Sequence, residues 1–193
     1  MTVLVLGGFI GRPLVPRLAA QGDVAVLHRG AHVPNDGVVS IVADRSDPAA
    51  VRAAVRSCGA STVVDLMAMT EADTLPLFEA LAGEIERYVL ASSADVYRNY
   101  AGLHRKAAPE PVLAPMAEGS PLRETRFPYR LAEPRAVDDP QRGLDDYDKI
   151  PLEQALAGQD AFDWTVLRLP MVYGPGDRQR RFVARCRSIE RDQ

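Results

Sequence analysis

Apolar positions recur along the first 95 or so residues in short runs, each followed by a helical pattern. Thr2–Leu6, Asp23–His28, Val38–Val42, Thr62–Leu66 and Arg87–Ser92 are rich in Val, Leu and Ile and apolar on both sides of the pleat. That is the signature of buried parallel strands, which alternating half-buried strands do not show. Between them lie Arg12–Ala20, Asp47–Ser57 and Glu71–Ala82. The second begins with Asp-Pro, a natural N-cap and first-turn pair, stops at Gly59, and carries Ala50, Val51, Ala54 and Val55 on one face. Strand–helix alternation of this kind predicts an α/β fold with a doubly wound parallel sheet and helices on both faces.

Residues 98–144 break the pattern. Pro109, Pro111, Pro115, Pro121, Pro128, Pro134 and Pro140 punctuate the stretch and no period runs through it. It reads as a surface excursion lying over the sheet edge where ligands bind. Asp163–Leu169 then returns to the sheet as a further strand, and Arg178–Ile189 carries Phe182, Cys186 and Ile189 on one helical side.

Composition narrows the class. A chain of 193 residues with 47% apolar and 25% charged residues has enough material for one domain with a core. A net charge of -3 gives no reason to expect nucleic acid or a membrane as partner. Arg178, Arg180 and Arg181 read as a solvated helix face. Cys58 and Cys186 stand in no metal-type or disulfide-type spacing, and His28, His32 and His104 show no ligand pattern, so no metal site is expected. The opening MTVLVLGG lacks a basic region and a cleavage-like site and is too short to span a bilayer. The cytoplasm is the expected compartment.

Chemistry concentrates in three places. The first is Leu6-Gly7-Gly8-Phe9-Ile10-Gly11, a strand, a glycine turn and a helix start. Such a turn lets backbone approach a pyrophosphate, and the helix start offers unpaired N–H groups to it; a tight turn whose glycines serve only to allow positive φ is the alternative. The second is Ala91-Ser92-Ser93-Ala94-Asp95-Val96-Tyr97, at the end of a buried strand. The third is Asp145-Asp146-Tyr147-Asp148-Lys149 with Leu167-Arg168-Leu169-Pro170-Met171-Val172-Tyr173-Gly174-Pro175-Gly176-Asp177 beyond it.

Taken in order, these segments resemble the extended short-chain dehydrogenase/reductase family, the NAD-dependent epimerases and dehydratases, over about residues 1–189. The resemblance implies a single Rossmann-like, NAD(P)-binding domain across 1–193, with the family's substrate lobe largely missing. It implies Gly7, Gly8, Phe9, Ile10 and Gly11 at the pyrophosphate, Asp44 at the adenine edge, and Leu66, Met67 and Ala68 beneath the adenosine ribose. Pro170, Met171 and Val172 would line the nicotinamide pocket. Ser93 would orient a substrate oxygen, Tyr147 would be the acid/base, and Lys149 would tune it and hold the nicotinamide ribose. A homodimer through helices flanking the sheet is also implied.

Two departures stand out. The glycine segment is two residues shorter than the family's, which removes the middle glycine. The family spaces its tyrosine four residues before the lysine, where this chain has Asp145; Tyr147 is only two before Lys149. On a regular helix such residues stand about 200° apart, whereas an extended entry would point both the same way. Pro151 disfavours helix at Ile150 and so favours an irregular entry. Asp145, an ordinary carboxylate, would be a poor replacement base.

The second strand ends in Val26-Leu27-His28-Arg29-Gly30, without the acid that holds a ribose 2′-hydroxyl in NAD-specific folds. Arg29 can instead pair with a 2′-phosphate, which favours NADP over NAD; a solvated loop arginine is the other reading. The expected activity is a hydride exchange between NAD(P) and a hydroxyl-bearing substrate such as a nucleotide sugar. The competing reading is a non-catalytic or repurposed binding module with an impaired cofactor loop.

Overall fold

A computed structural model describes residues 1–30, 37–100 and 115–177. Six parallel strands form one sheet in the order β3-β2-β1-β4-β5-β6: β1 (Thr2–Leu6), β2 (Val24–His28), β3 (Val39–Val42), β4 (Ala60–Asp65), β5 (Arg87–Ser93) and β6 (Asp163–Leu169). The helices are α1 (Gly11–Ala19), α2 (Pro48–Cys58), α3 (Glu71–Leu81) and α4 (Lys149–Ala157). The chain runs outward from β1 to β3, then jumps back to β4 beside β1. This reversal puts the topological switch point at the carboxyl ends of β1 and β4, the place where doubly wound sheets take ligands.

The two faces of the sheet divide the helices. α1 packs Val15, with Leu14 and Leu18, on Val5, Val24, Val26 and Val64. The other face buries Leu4, Leu6, Leu27, Val63, Tyr88 and Leu90 under Val51 and Val55 of α2, Leu77 and Leu81 of α3, and Leu152 and Leu156 of α4. The central strands thus carry apolar side chains on both faces, as their sequence predicts. β3 departs from that expectation: Val39 and Val42 are exposed. It is an edge strand with β2 as its one neighbour, so its apolar pattern overstates its burial.

Local signals set the helix ends. Asp47 caps α2, accepting from the amides of Ala49 and Ala50, and Gly59 closes it at φ 62°, a left-handed value suited to glycine. Thr70 and Asp73 form a reciprocal capping box on α3. Pro151 lies in the first turn of α4, where its missing N–H would have had no helical partner. The expected loss of helix at Ile150 therefore does not occur, and the irregularity sits just upstream. The helix expected at Arg178–Ile189 lies outside the described residues, as do Cys186, His32 and His104.

Leu4 is fully buried at the centre of the sheet. Leu4→Ala is expected to lower unfolding free energy by about 2–5 kcal/mol in a chemical denaturation curve. Exposed Leu131, replaced by Ala, is expected to change it by less than ~0.5 kcal/mol.

Candidate active site

Each strand delivers one predicted group to the same edge of the sheet. The glycine turn follows β1, Arg29 follows β2, and Asp44 follows β3. Residues 66–68 follow β4, Ser93 ends β5, and Pro170, Met171 and Val172 follow β6. Parallel strands put all their carboxyl ends on one side, so this gathering is a consequence of topology.

The turn between β1 and α1 is short. The Gly7 amide donates to Leu27 O at 3.2 Å and the Gly11 amide to Gly8 O at 3.1 Å. The amides of Gly8, Phe9 and Ile10 find no acceptor among the described residues. None of the turn's glycines has positive φ; what requires them is close approach. A Cβ on Gly7 would stand 3.3 Å from Leu27 O, and one on Gly8 would stand 2.7 Å from Met67 Sδ. Met67 therefore lies over the turn. Its flexible thioether would have to move aside for anything occupying the Cβ side of Gly8.

Residues 66–68 are held from two directions. Asp65, fully buried, accepts from the amides of Met67 at 2.9 Å and Ala68 at 3.1 Å. Tyr88 donates its hydroxyl to the same carboxylate at 2.5 Å, and Arg45 donates Nε to both oxygens at 3.0 Å. Burial works against the Arg45 charge, but the bonds to Asp65 outweigh it and raise its pKa. From the other side, Lys149 Nζ donates to Ala68 O and, at 2.9 Å, to Ala91 O. Asp65 and its partners Arg45 and Tyr88 were not singled out by any sequence signal.

The entry to α4 decides the relation of Tyr147 to Lys149. Asp148 is extended, at φ -159° and ψ 121°, and caps the helix by accepting from the Ile150 amide. Residues on either side of an extended position point the same way. Tyr147 and Lys149 accordingly share a side, with Nζ 5.7 Å from the Tyr147 ring centroid. The Tyr147 hydroxyl lies by Ser93 and donates to Asp95 Oδ2 at 3.1 Å. Ser93, Tyr147 and Lys149 thus come together at the end of β5.

Electrostatics follow from burial. Tyr147 is raised well above its ordinary value by loss of solvent, then by the Asp95 charge, with the Ser93 hydroxyl acting in the opposite sense. Lys149 is pulled down to about 8, first by burial, against the attraction of Asp65 and Asp95. Asp145, four before Lys149, is occupied elsewhere. It accepts from the Arg135 amide at 2.8 Å and pairs with the guanidinium groups of Arg135 and Arg142, and these bonds lower its pKa.

Asp148 anchors the excursion. Burial penalises its charge, yet bonds from Arg123, Arg126 and the Phe127 amide outweigh that and lower its pKa. Arg126 Nε lies at 2.7 Å and Phe127 N at 3.1 Å, while Arg123 and Asp148 are both almost wholly buried. The acidic run 145–148 is the dock for the arginines of the excursion. Glu153 does similar work in α4, receiving Arg168 of β6 at 2.7 Å and the Ser92 hydroxyl. Beyond β6 the segment 170–177 bends back toward α1, where Arg12 approaches Gly176.

Arg29 is exposed beside Asp44, whose pKa is lowered first by the Ser46 amide and hydroxyl and further by the nearby Arg29 charge. Among the described residues no group of His, Cys, Asp and Glu could hold a metal ion, and no helix is long and apolar enough to cross a membrane.

No family model matches the chain, and no curated protein matches it in sequence. Solved structures do match in shape. The UDP-glucose 4-epimerase of Thermus thermophilus in complex with NAD superposes with a TM-score of 0.65 at 24% identity, over 91% of this chain and 57% of that one. WbmG of Bordetella bronchiseptica in complex with NAD gives 0.62 at 19%, over 97% and 60%. The UDP-glucose 4-epimerase of Thermotoga maritima with UDP-glucose gives 0.62 at 19%, over 91% and 57%. The chain therefore spans 57–60% of the length of these proteins. The likeness establishes the Rossmann-like fold that the motif pattern implied.

Two stability measurements probe this site. Asp148→Ala leaves the buried Arg123 without its partner, and is expected to cost about 3–5 kcal/mol of unfolding free energy. Lys149 contributes a pH signature. Its folded pKa of about 8 lies below the ordinary 10.5, so between these values the unfolded chain binds the extra proton. Stability must then rise as pH increases from about 8 toward 10, and this rise should be missing in Lys149→Met when the two denaturation series are compared.

Proposed function

We propose that this chain binds a nicotinamide dinucleotide along the carboxyl edge of the sheet and supports hydride exchange with a hydroxyl-bearing substrate. The observation that carries this reading is the convergence of Ser93, Tyr147 and Lys149 at the end of β5, beside the turn that follows β1. The amides of Gly8, Phe9 and Ile10, without an acceptor among the described residues, suit a diphosphate, and the start of α1 adds a positive dipole. Lys149 uses two of its three possible donors on Ala68 and Ala91, which leaves one for a ribose hydroxyl. Asp44, residues 66–68 and Pro170, Met171 and Val172 occupy strand ends consistent with contacts to the adenosine and nicotinamide halves. When bound, the dinucleotide supplies the hydride acceptor or donor.

The chain's own residues handle the proton. Ser93 orients the substrate oxygen, and Tyr147 takes or returns its proton as the carbon loses or regains hydride. An ammonium at Lys149 opposes the penalty that burial and Asp95 place on a tyrosinate; its lowered pKa keeps that charge adjustable near neutrality. Solved proteins of this fold were obtained with NAD and with UDP-glucose, which supports a dinucleotide cofactor and makes a nucleotide sugar the first substrate class to test. Arg29, exposed at the end of β2, favours NADP over NAD through its reach to a 2′-phosphate.

One observation favours the other reading, a repurposed binding module. Met67 covers a turn two residues shorter than the family pattern. Calorimetric titration with NADP and NAD separates the two. The redox reading expects binding of both, with NADP tighter and its advantage reduced about tenfold in Arg29→Ala. It also expects Tyr147→Phe to keep dinucleotide affinity while lowering kcat on UDP-glucose, or another nucleotide sugar that turns over, by about a hundredfold or more. A folded chain with no affinity for either dinucleotide would overturn the redox reading and favour the binding-module one.

A further inference from the structure

Asp95 lies two residues beyond Ser93, in the single 3-10 turn Ala94–Val96 that ends β5, and is only 4% exposed. Its backbone amide donates to Ser93 Oγ at 3.2 Å. Its side chain ties together two tyrosines distant in sequence. Oδ2 accepts from the Tyr147 hydroxyl at 3.1 Å and from the Tyr129 hydroxyl at 3.2 Å. The two rings pack edge to face, 5.2 Å between centroids. Oδ1 is buried and meets no donor among the described residues. Exposure changes along this line: Tyr147 and Asp95 are buried, whereas Tyr129, on the excursion, is half-buried.

A carboxylate that served only to brace the fold would have both oxygens satisfied, as Asp65 and Asp148 do. Asp95 instead has one oxygen that meets no donor among the described residues, next to an acid/base candidate that is itself buried. We propose that Tyr147, Asp95 and Tyr129 form a proton relay linking the buried Tyr147 hydroxyl to solvent through the excursion. The relay rests on the acid/base role given to Tyr147 and adds two residues to it.

The proton steps balance without any change of oxidation state. As Tyr147 Oη gains a proton from a substrate hydroxyl, its own O–H bond breaks and that proton passes to Asp95 Oδ2. The neutral carboxyl then gives a proton to the Tyr129 oxygen as the Tyr129 hydroxyl rotates and releases its own to water. Oδ1, which meets no donor among the described residues, offers the carboxyl a second protonation position. Return of a proton to substrate runs the same path backward.

The relay can be read without substrate or cofactor. In the full chain carrying tyrosine isotope-labelled at Cζ, the hydrogen-to-deuterium shift on that carbon reports how fast each hydroxyl proton exchanges with solvent. The Tyr147 signal is identified by its loss in Tyr147→Phe. Tyr129→Phe is expected to slow Tyr147 exchange about tenfold, with the circular dichroism spectrum unchanged. Asp95→Asn, which cannot accept and pass on a proton at that atom, should slow it at least as much. If Asp95 and Tyr129 merely brace the ring, removing the Tyr129 hydroxyl loosens its surroundings and exchange accelerates or stays the same. Either result overturns the relay, and Tyr129→Phe suffices for this test if Asp95→Asn does not fold. Failure of dinucleotide binding is a separate result, which would remove the redox reading and leave the exchange measurement standing.

Discussion

The carboxylate of Asp148 holds the candidate site in register with the fold. It is buried with Arg123, receives Arg126 and the Phe127 amide from the excursion, and caps α4 through Ile150. Its backbone amide reaches Met69 O at 3.4 Å, which seats the start of α4 on the segment after β4. A capping residue takes extended geometry, and that single extended residue turns Tyr147 and Lys149 to the same side. A charge buried at this depth is tolerable only with its partners in place. The excursion, the helix and the relative orientation of two chemical groups are therefore coupled at one atom cluster.

The same logic explains why the proline-rich excursion has a defined course in its described part. It has little apolar core of its own: Val96, Tyr97, Ile150 and the half-buried Leu122 make a small cluster. Its arginines do the rest. Arg123 and Arg126 go to Asp148, Arg130 to Asp146, and Arg135 and Arg142 to Asp145. Tyr129 arrives at Asp95 because the residues on both sides of it are fixed in this way. Ion pairs at the rim contribute little singly, but a buried and multiply bonded set specifies geometry.

At the sheet edge, polar groups on buried strand ends shape the backbone that a ligand would meet. Asp65 and Lys149 fix residues 66–68 from opposite sides, and Met67 is left to cover the glycine turn. The turn is short, and the amides of Gly8, Phe9 and Ile10 are the ones with no acceptor among the described residues. One flexible thioether and three backbone donors are what this edge presents.

Strand and helix positions were legible in the sequence because apolar period and capping chemistry are local. Val63-Val64 or Asp47-Pro48 carries its meaning within a few residues, and parallel topology then assigns every strand end to one side. The positions of Gly7 and Ser93 at that edge follow from this alone. What tertiary structure decided was orientation and partnership. Spacing left Tyr147 and Lys149 either opposed or together, and the choice came from Asp148, whose extended backbone is held by arginines more than twenty residues away. Asp95 and Tyr129 carried no periodic signal for the same reason: hydrogen bonds between side chains 34 residues apart depend on how the chain returns, which no local pattern encodes.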